Sequence, residues 1–174
     1  SRKRITISTS GITPQIDKLS KSIDVSLAIS LHAPIDKLRD EIVPINKKYP
    51  INELIRSCKD YLSDYAGKRN ITIEYVLIDG VNDTPEMARK LTKLLSGISC
   101  KINLIPFNPF EGSNYKRASK NNINEFKNIL MKKGFITTLR ITRGDAIDGA
   151  CGQLVGKLSK SVKGKKLISH QLIS

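Results

Sequence analysis

Tryptophan is absent from the 174 residues, and aromatic side chains make up only 5% of them. A core must therefore be built from aliphatic side chains, which an apolar content of 39% can supply. No apolar run approaches the ~20 residues of a membrane-spanning helix, and no signal peptide is visible. Cysteine is sparse: Cys58, Cys100 and Cys151 are widely spaced and form no CxxC pair. An odd, scattered set argues against a disulfide framework and for a reducing compartment, so the expected location is cytoplasmic. The two histidines, His32 and His170, have no ligand spacing with the cysteines, so no zinc site is expected. GxGxxG, P-loop and nucleophile-elbow motifs are missing, which removes three common routes to an enzymatic reading.

Acidic residues are also few, 16 against 30 basic ones, for a net charge of +14. The surplus gathers at Arg2–Arg4, Lys132–Lys133 and Lys157–Lys166. Gathered charge favours a binding surface over uniform solubilising dressing, and the partner class it fits is a polyanion, foremost nucleic acid. The length suits one domain or a large piece of one.

The chain reads as strand and helix in alternation. Arg4–Ser8 is strand-like from the outset, which predicts a segment preceding Ser1. Pro14 opens a helix with Ile16 and Leu19 inward, and Asp24–Leu31 reads as a strand buried on both faces. A short helix is expected over Ile35–Ile42, stopped by Pro44, and a firmer amphipathic one over Ile51–Tyr65, with Cys58 on its apolar face. Asn70–Ile78 is the third strand; Asp83 with Glu86 resembles a capping box for a helix to about Leu95. Lys101–Pro106 is the fourth strand, Asn124–Lys133 a helix ended by Gly134, and Phe135–Thr142 the fifth strand. Alternation of this kind predicts an α/β fold with a parallel sheet, either open or an incomplete barrel. In both, the working site lies at the C-terminal ends of the strands: Ser8–Gly11, Ser30–Ala33, Asp79–Asn82 and Phe107–Pro109.

Several constellations there admit more than one use. Ser8-Thr9-Ser10-Gly11 offers hydroxyls and amides to a carboxylate, ribose or phosphate, or simply caps a helix. His32 suits a ring-stacking or hydrogen-bonding group, or a satisfied core histidine. Asn108, between Phe107 and Pro109, suits recognition of an adenine or an amino-acid carboxylate, or a plain turn. Cys151 sits between Gly149-Ala150 and Gly152 in a small polar loop, with Arg140, Arg143 and Lys157 nearby in sequence. Access and positive charge favour a reactive thiolate, against an inert loop cysteine.

Taken together, ISTSG, AISLHAP, RDEIVPINKKY, IEYVLIDGVND, CKINLIPFNPF and RGDAIDGACGQL occur in one order. The set resembles the radical S-adenosylmethionine RNA methyltransferases that act on C2 of adenosine in 23S ribosomal RNA and tRNA. The resemblance covers nearly the whole chain and thins after about Lys157. It implies a partial (βα)6 radical-SAM barrel over residues 1–156 and a basic C-terminal tail over 157–174. It further implies that Ser8, Ser30, Leu31, His32 and Asn108 contact S-adenosylmethionine, and that Cys151 becomes S-methylated. In the family, a second S-adenosylmethionine is cleaved to a 5′-deoxyadenosyl radical, which activates that methyl group for addition to the base.

The family holds a [4Fe-4S] cluster through CxxxCxxC, and this sequence contains no such motif. The implication is a C-terminal part of the enzyme, inactive alone, whose cluster ligands, resolving cysteine and electron donor lie elsewhere. The expected assembly is a monomer with 23S ribosomal RNA and tRNA as partners and no membrane association. The related branch that methylates C8 of the same ribosomal adenosine is the neighbouring reading. A basic RNA-binding module without catalysis, and a metabolic α/β enzyme acting on something other than RNA, are the readings from other classes.

Overall fold

The computed structural model describes residues 5–64 and 71–140. Arg2–Arg4, Cys151 with its loop, and the basic tail lie outside the described residues. Five strands form one sheet: β1 (Thr6–Thr9), β2 (Ser26–Ser30), β3 (Ile71–Leu77), β4 (Cys100–Pro106) and β5 (Ile136–Leu139). All four pairings are parallel, and the spatial order is β1-β2-β3-β4-β5. Between them run α1 (Thr13–Ser22), α2 (Asp36–Ile42), a 3-10 turn at Pro44–Lys47, α3 (Ile51–Ser63), α4 (Pro85–Leu94) and α5 (Lys120–Lys132).

That strand order decides between the two expected architectures. Parallel neighbours need crossover connections, and those are right-handed. When each strand is laid beside the last in one direction, every crossover falls on the same side. The sheet then has no point where the winding reverses, so it is a sector of a barrel and not a doubly wound sheet. The core agrees. Leu27, Ile29, Ile71, Ile73, Tyr75, Leu77, Ile102 and Leu104 from the strands pack with Ile16, Leu54, Leu91, Phe126 and Leu130 from the helices.

In β2 the consecutive residues Leu27, Ala28 and Ile29 are all buried, as expected of a strand covered on both faces, whereas β3 and β4 alternate. In β3, Ile71, Ile73, Tyr75 and Leu77 are buried while Thr72, Glu74 and Val76 between them are half-buried. The register carries this alternation across the sheet: Ser30, Glu74, Asn103 and Thr138 form one row on the uncovered side.

Two helix starts differ from the sequence expectation. Thr84, not Asp83, caps α4 by accepting from Met87 N–H at 3.3 Å. Helix α5 begins at Lys120, where Ser119 accepts from Asn122 N–H at 3.1 Å. Its end matches expectation: Gly134 has φ 85, and the amides of Gly134 and Phe135 close on the carbonyls of Met131 and Leu130.

Candidate functional site

Because the strands are parallel and adjacent, their C-terminal ends share one edge of the sheet. Ser8, Ser30, Leu31, His32 and Asn108 all lie at or just past that edge. Ser8 on β1 and Asn108 after β4 are separated by three strand spacings, about 14 Å at ~4.8 Å each. A ligand touching both must be extended.

The centre of this edge is the turn after β2. Ala33 N–H donates to the Leu31 carbonyl at 2.8 Å, and His32 between them has φ 60. A three-residue turn with positive φ at a non-glycine residue is strained, and such strain persists only where neighbours enforce it. The enforcement is visible. Arg39, fully buried, donates from Nε to the Leu31 carbonyl at 3.0 Å and from Nη2 to the Ser30 carbonyl at 3.2 Å. The same guanidinium donates to the Ser10 carbonyl at 2.5 Å and to Asn46 Oδ1 at 2.8 Å. Asn46 in turn donates to Asp36 and Asp40, at 2.9 and 2.6 Å. The strand ends of β1 and β2 are thus joined through one cation. Gly11, with φ +110, leaves room for it: a Cβ there would meet Arg39 Nη2 at 3.1 Å.

From the other side, buried Asn82 donates from Nδ2 to the His32 carbonyl at 2.8 Å and to the Val76 carbonyl at 2.7 Å. Its Oδ1 accepts from Ile78 N–H at 2.7 Å. Both donors of the amide and one lone pair of its oxygen are used.

The His32 ring accepts from Val76 N–H at Nδ1, 3.2 Å away. An accepting Nδ1 carries no proton, so the neutral ring bears its proton on Nε2. Burial pulls the ring down from 6.5 to about 4, Arg39 adds to this, and a backbone hydrogen bond at Glu74 opposes it. At neutral pH His32 is therefore a neutral donor. Ser30 Oγ lies 3.5 Å from Glu74 Oε2 on the uncovered face. Leu31 is fully buried, its N–H donates to the Glu74 carbonyl at 3.1 Å and its own carbonyl accepts from Ala33 and Arg39. Asn108 is half-buried, next to a cluster in which the Phe107 ring meets those of Phe110 and Tyr115 at 6.2 and 6.1 Å.

Ser8 is exposed, and the hydroxyls of the Ser8–Gly11 stretch do not cap α1, whose N-cap is Ile12 with no side-chain bond. Thr9 Oγ1 instead accepts from Gly11 N–H at 3.1 Å, shaping the turn. Sequence reasoning placed Asn82 at a strand end without giving it a role, and missed Arg39, Glu74 and Asn103. The alternating Thr72 and Glu74 in Ile71–Leu77 were a usable signal for Glu74, as was the place between Ile102 and Leu104 for Asn103; the roles of Arg39 and Asn82 have none, because their burial is tertiary. A groove of about 720 Å3 at the opposite end, between Arg89, Lys93, Gly97 and Lys133, is remote from all of these.

Neither described cysteine is a candidate ligand or nucleophile. Burial pushes the Cys58 thiol up to about 12 and the Cys100 thiol up to about 11, so both stay protonated. Among the described residues no group of three or more His, Cys, Asp or Glu could hold a metal ion. No helix among them is long and apolar enough to cross a membrane.

No protein-family model matches the chain. Curated relatives do. It is 53% identical over 175 residues to a dual-specificity RNA methyltransferase RlmN of Marinobacter nauticus, covering 100% of this chain and 47% of that protein. The chain belongs to the dual-specificity RNA methyltransferase family. The RlmN of Pseudomonas entomophila is 57% identical over 159 residues, covering 91% of this chain and 42% of that one. The chain therefore spans about half the length of the curated RlmN relatives it matches. Among solved structures, a radical SAM methyltransferase from Sphaerobacter thermophilus superposes with a TM-score of 0.83 at 48% identity. That match covers 88% of this chain and 45% of that one. A domain of a pyruvate-formate lyase-activating enzyme from Bacteroides vulgatus, at 16% identity and a TM-score of 0.60, shares the fold alone. The parallel sheet with helices on one face is thus a partial radical-SAM barrel.

Proposed function

We propose that this chain is the part of an RNA methyltransferase that holds S-adenosylmethionine and carries its one-carbon unit on Cys151, for transfer to C2 of adenosine in 23S ribosomal RNA and tRNA. The observation carrying this reading is the sheet edge itself. A strained, doubly tethered turn, Ser30-Leu31-His32, sits beside an open polar row in a chain 53% identical to an RNA methyltransferase. The sites are Ser8, Ser30, Leu31, His32 and Asn108 for S-adenosylmethionine and Cys151 for the methyl group. Residues 1–156 are the barrel part and 157–174 an RNA-contacting tail.

The donor set fits the ligand. S-adenosylmethionine is extended and carries an ammonium, a carboxylate, ribose hydroxyls and an adenine. His32 Nε2–H and the Asn108 amide can donate to acceptors on it, Glu74 can accept from hydroxyl or ammonium, and Ser30 can do either. S-adenosylmethionine supplies a sulfonium-bound methyl group, which the Cys151 thiolate can accept by substitution. The described residues do not fit a [4Fe-4S] cluster, since Cys58 and Cys100 are protonated core thiols; the cluster and its electron donor belong, on this reading, to the half that the chain does not span. The protein would work as a cytoplasmic monomer.

The test is co-expression with the complementary half of the Marinobacter relative, followed by mass spectrometry of the Cys151 peptide. A one-methyl adduct, absent in C151A, together with 2-methyladenosine in digested ribosomal RNA and tRNA, is expected. RNA binding with strong salt dependence and no adduct would instead mark a binding module; 8-methyladenosine would mark the C8 branch.

A further inference from the structure

We propose that Arg39 and Asn82 are positioning residues that jointly hold Ser30-Leu31-His32 in the shape that meets S-adenosylmethionine. This rests on the ligand reading above and extends it to two residues whose buried side chains act through the turn.

The carbonyls of three consecutive residues are each captured by a buried side chain. Ser30 and Leu31 are held by Arg39, at 3.2 and 3.0 Å, and His32 by Asn82, at 2.8 Å. Both captors are fully buried. Carbonyls fixed in this way leave the backbone of Ser30 and His32 little freedom, and they hold His32 at φ 60, which is uncommon for a residue other than glycine. The two captors reach in from different elements. Arg39 comes from α2 and also grips Ser10 at the end of β1. Asn82 comes from the loop after β3 and also bonds the backbone of Val76 and Ile78. Three strand ends are therefore locked to one another around the turn. Arg39 suits its place because one planar fork can satisfy several carbonyls at fixed angles, and a lysine cannot. Nor is Arg39 present to neutralise a carboxylate: all four of its hydrogen bonds go to carbonyl or amide oxygens, and Asp36 and Asp40 are reached only through Asn46.

The test uses the 174-residue chain with Arg39→Lys, Asn82→Asp and, as a control for lost stability, Leu91→Ala in the core between α4 and the sheet. Asn82→Asp keeps an acceptor for Ile78 N–H, removes both donations and sets a carboxylate oxygen against the His32 and Val76 carbonyls. Amide hydrogen exchange at Leu31 and Ala33 reads the turn; equilibrium dialysis reads S-adenosylmethionine affinity. In each clamp variant, Leu31 and Ala33 should exchange about tenfold faster, beyond any rise seen with Leu91→Ala, and affinity should fall by about tenfold. Leu91→Ala should leave affinity nearly unchanged. Equal exchange and affinity losses in the control, or clamp variants that bind like the parent chain, would overturn the proposal. If the parent chain binds no S-adenosylmethionine, the ligand reading fails; the exchange result then decides by itself whether the two residues hold the turn.

Discussion

At the scale of single residues, the chemistry of the sheet edge depends on which groups are kept uncharged. His32 titrates at about 4 when folded, against 6.5 for a free ring, because burial and Arg39 both oppose protonation. The sign follows directly. Between these values the unfolded chain binds a proton that the folded chain refuses, so this contribution to stability is full above about pH 6.5 and lost as pH falls toward 4. A shift of this size corresponds to at most about 3 kcal/mol. Replacing His32 with Asn, which tolerates positive φ, removes the titration while keeping the turn accessible. The H32N chain should lose less stability than the parent between pH 7 and pH 4.5, by about 2 kcal/mol, in urea unfolding midpoints at the two values. Coincident pH dependence in the two chains would mean that the ring titrates normally in the fold. Cys58 shows the same physics with the opposite sign of group. Its raised thiol is the property of a core side chain, which its place on the apolar face of Ile51–Tyr65 already indicated.

At the scale of elements, most of the architecture was legible because it depends on local pattern. The runs that became β1 to β5 and the helices between them follow from β-branched clusters and helical spacing. What escaped has identifiable causes. In Asp24–Leu31 the run reads as a strand buried twice, and Leu27, Ala28 and Ile29 are indeed all buried. Ser30 at its end, in register with Glu74, is only half-buried, which an apolar count does not show. The start of α5 escaped because its first turn, Lys120-Asn121-Asn122, carries no apolar residue, so periodicity begins at Ile123. The cap one residue earlier was the signal. Ser119→Ala should therefore lower stability by about 1 kcal/mol, seen as a drop of a few degrees in the melting temperature. No change would place the helix start at Asn124 as the periodicity alone suggests. The roles of Arg39 and Asn82 were illegible for a different reason. Nothing local distinguishes a buried, fully bonded arginine or asparagine from a solvated one; only the meeting of β1, β2 and β3 ends does.

At the scale of the whole molecule, the sheet is a barrel sector that, among the described residues, ends at β1 on one side and β5 on the other. Among the described residues β1 pairs only with β2; Ile7 on it and Ile5 just before it are 36% and 48% exposed. At the other edge, Ile136 of β5 is 62% exposed. A parallel sheet is ordinarily buried on both sides, and an unpaired apolar edge is a template for another strand. The RlmN relative is about twice this length, and an edge of this kind is one to which further strands could add. In the 174-residue chain by itself, the same edge is available to a second copy. Concentration-dependent self-association in sedimentation velocity is therefore expected, although the net charge of +14 opposes it; added salt, by screening that charge, should strengthen it. Ile7→Lys tests the edge directly. Residue 7 is already partly exposed, so a lysine stem can lie along the sheet with its ammonium in water, and the fold should survive. A charge at the centre of β1 nevertheless penalises any strand laid against it. The variant should sediment as a monomer at concentrations where the parent chain does not, and should fail to capture the complementary half of the Marinobacter relative. A parent chain that stays monomeric at every concentration and salt would mean that β1 is not an open edge.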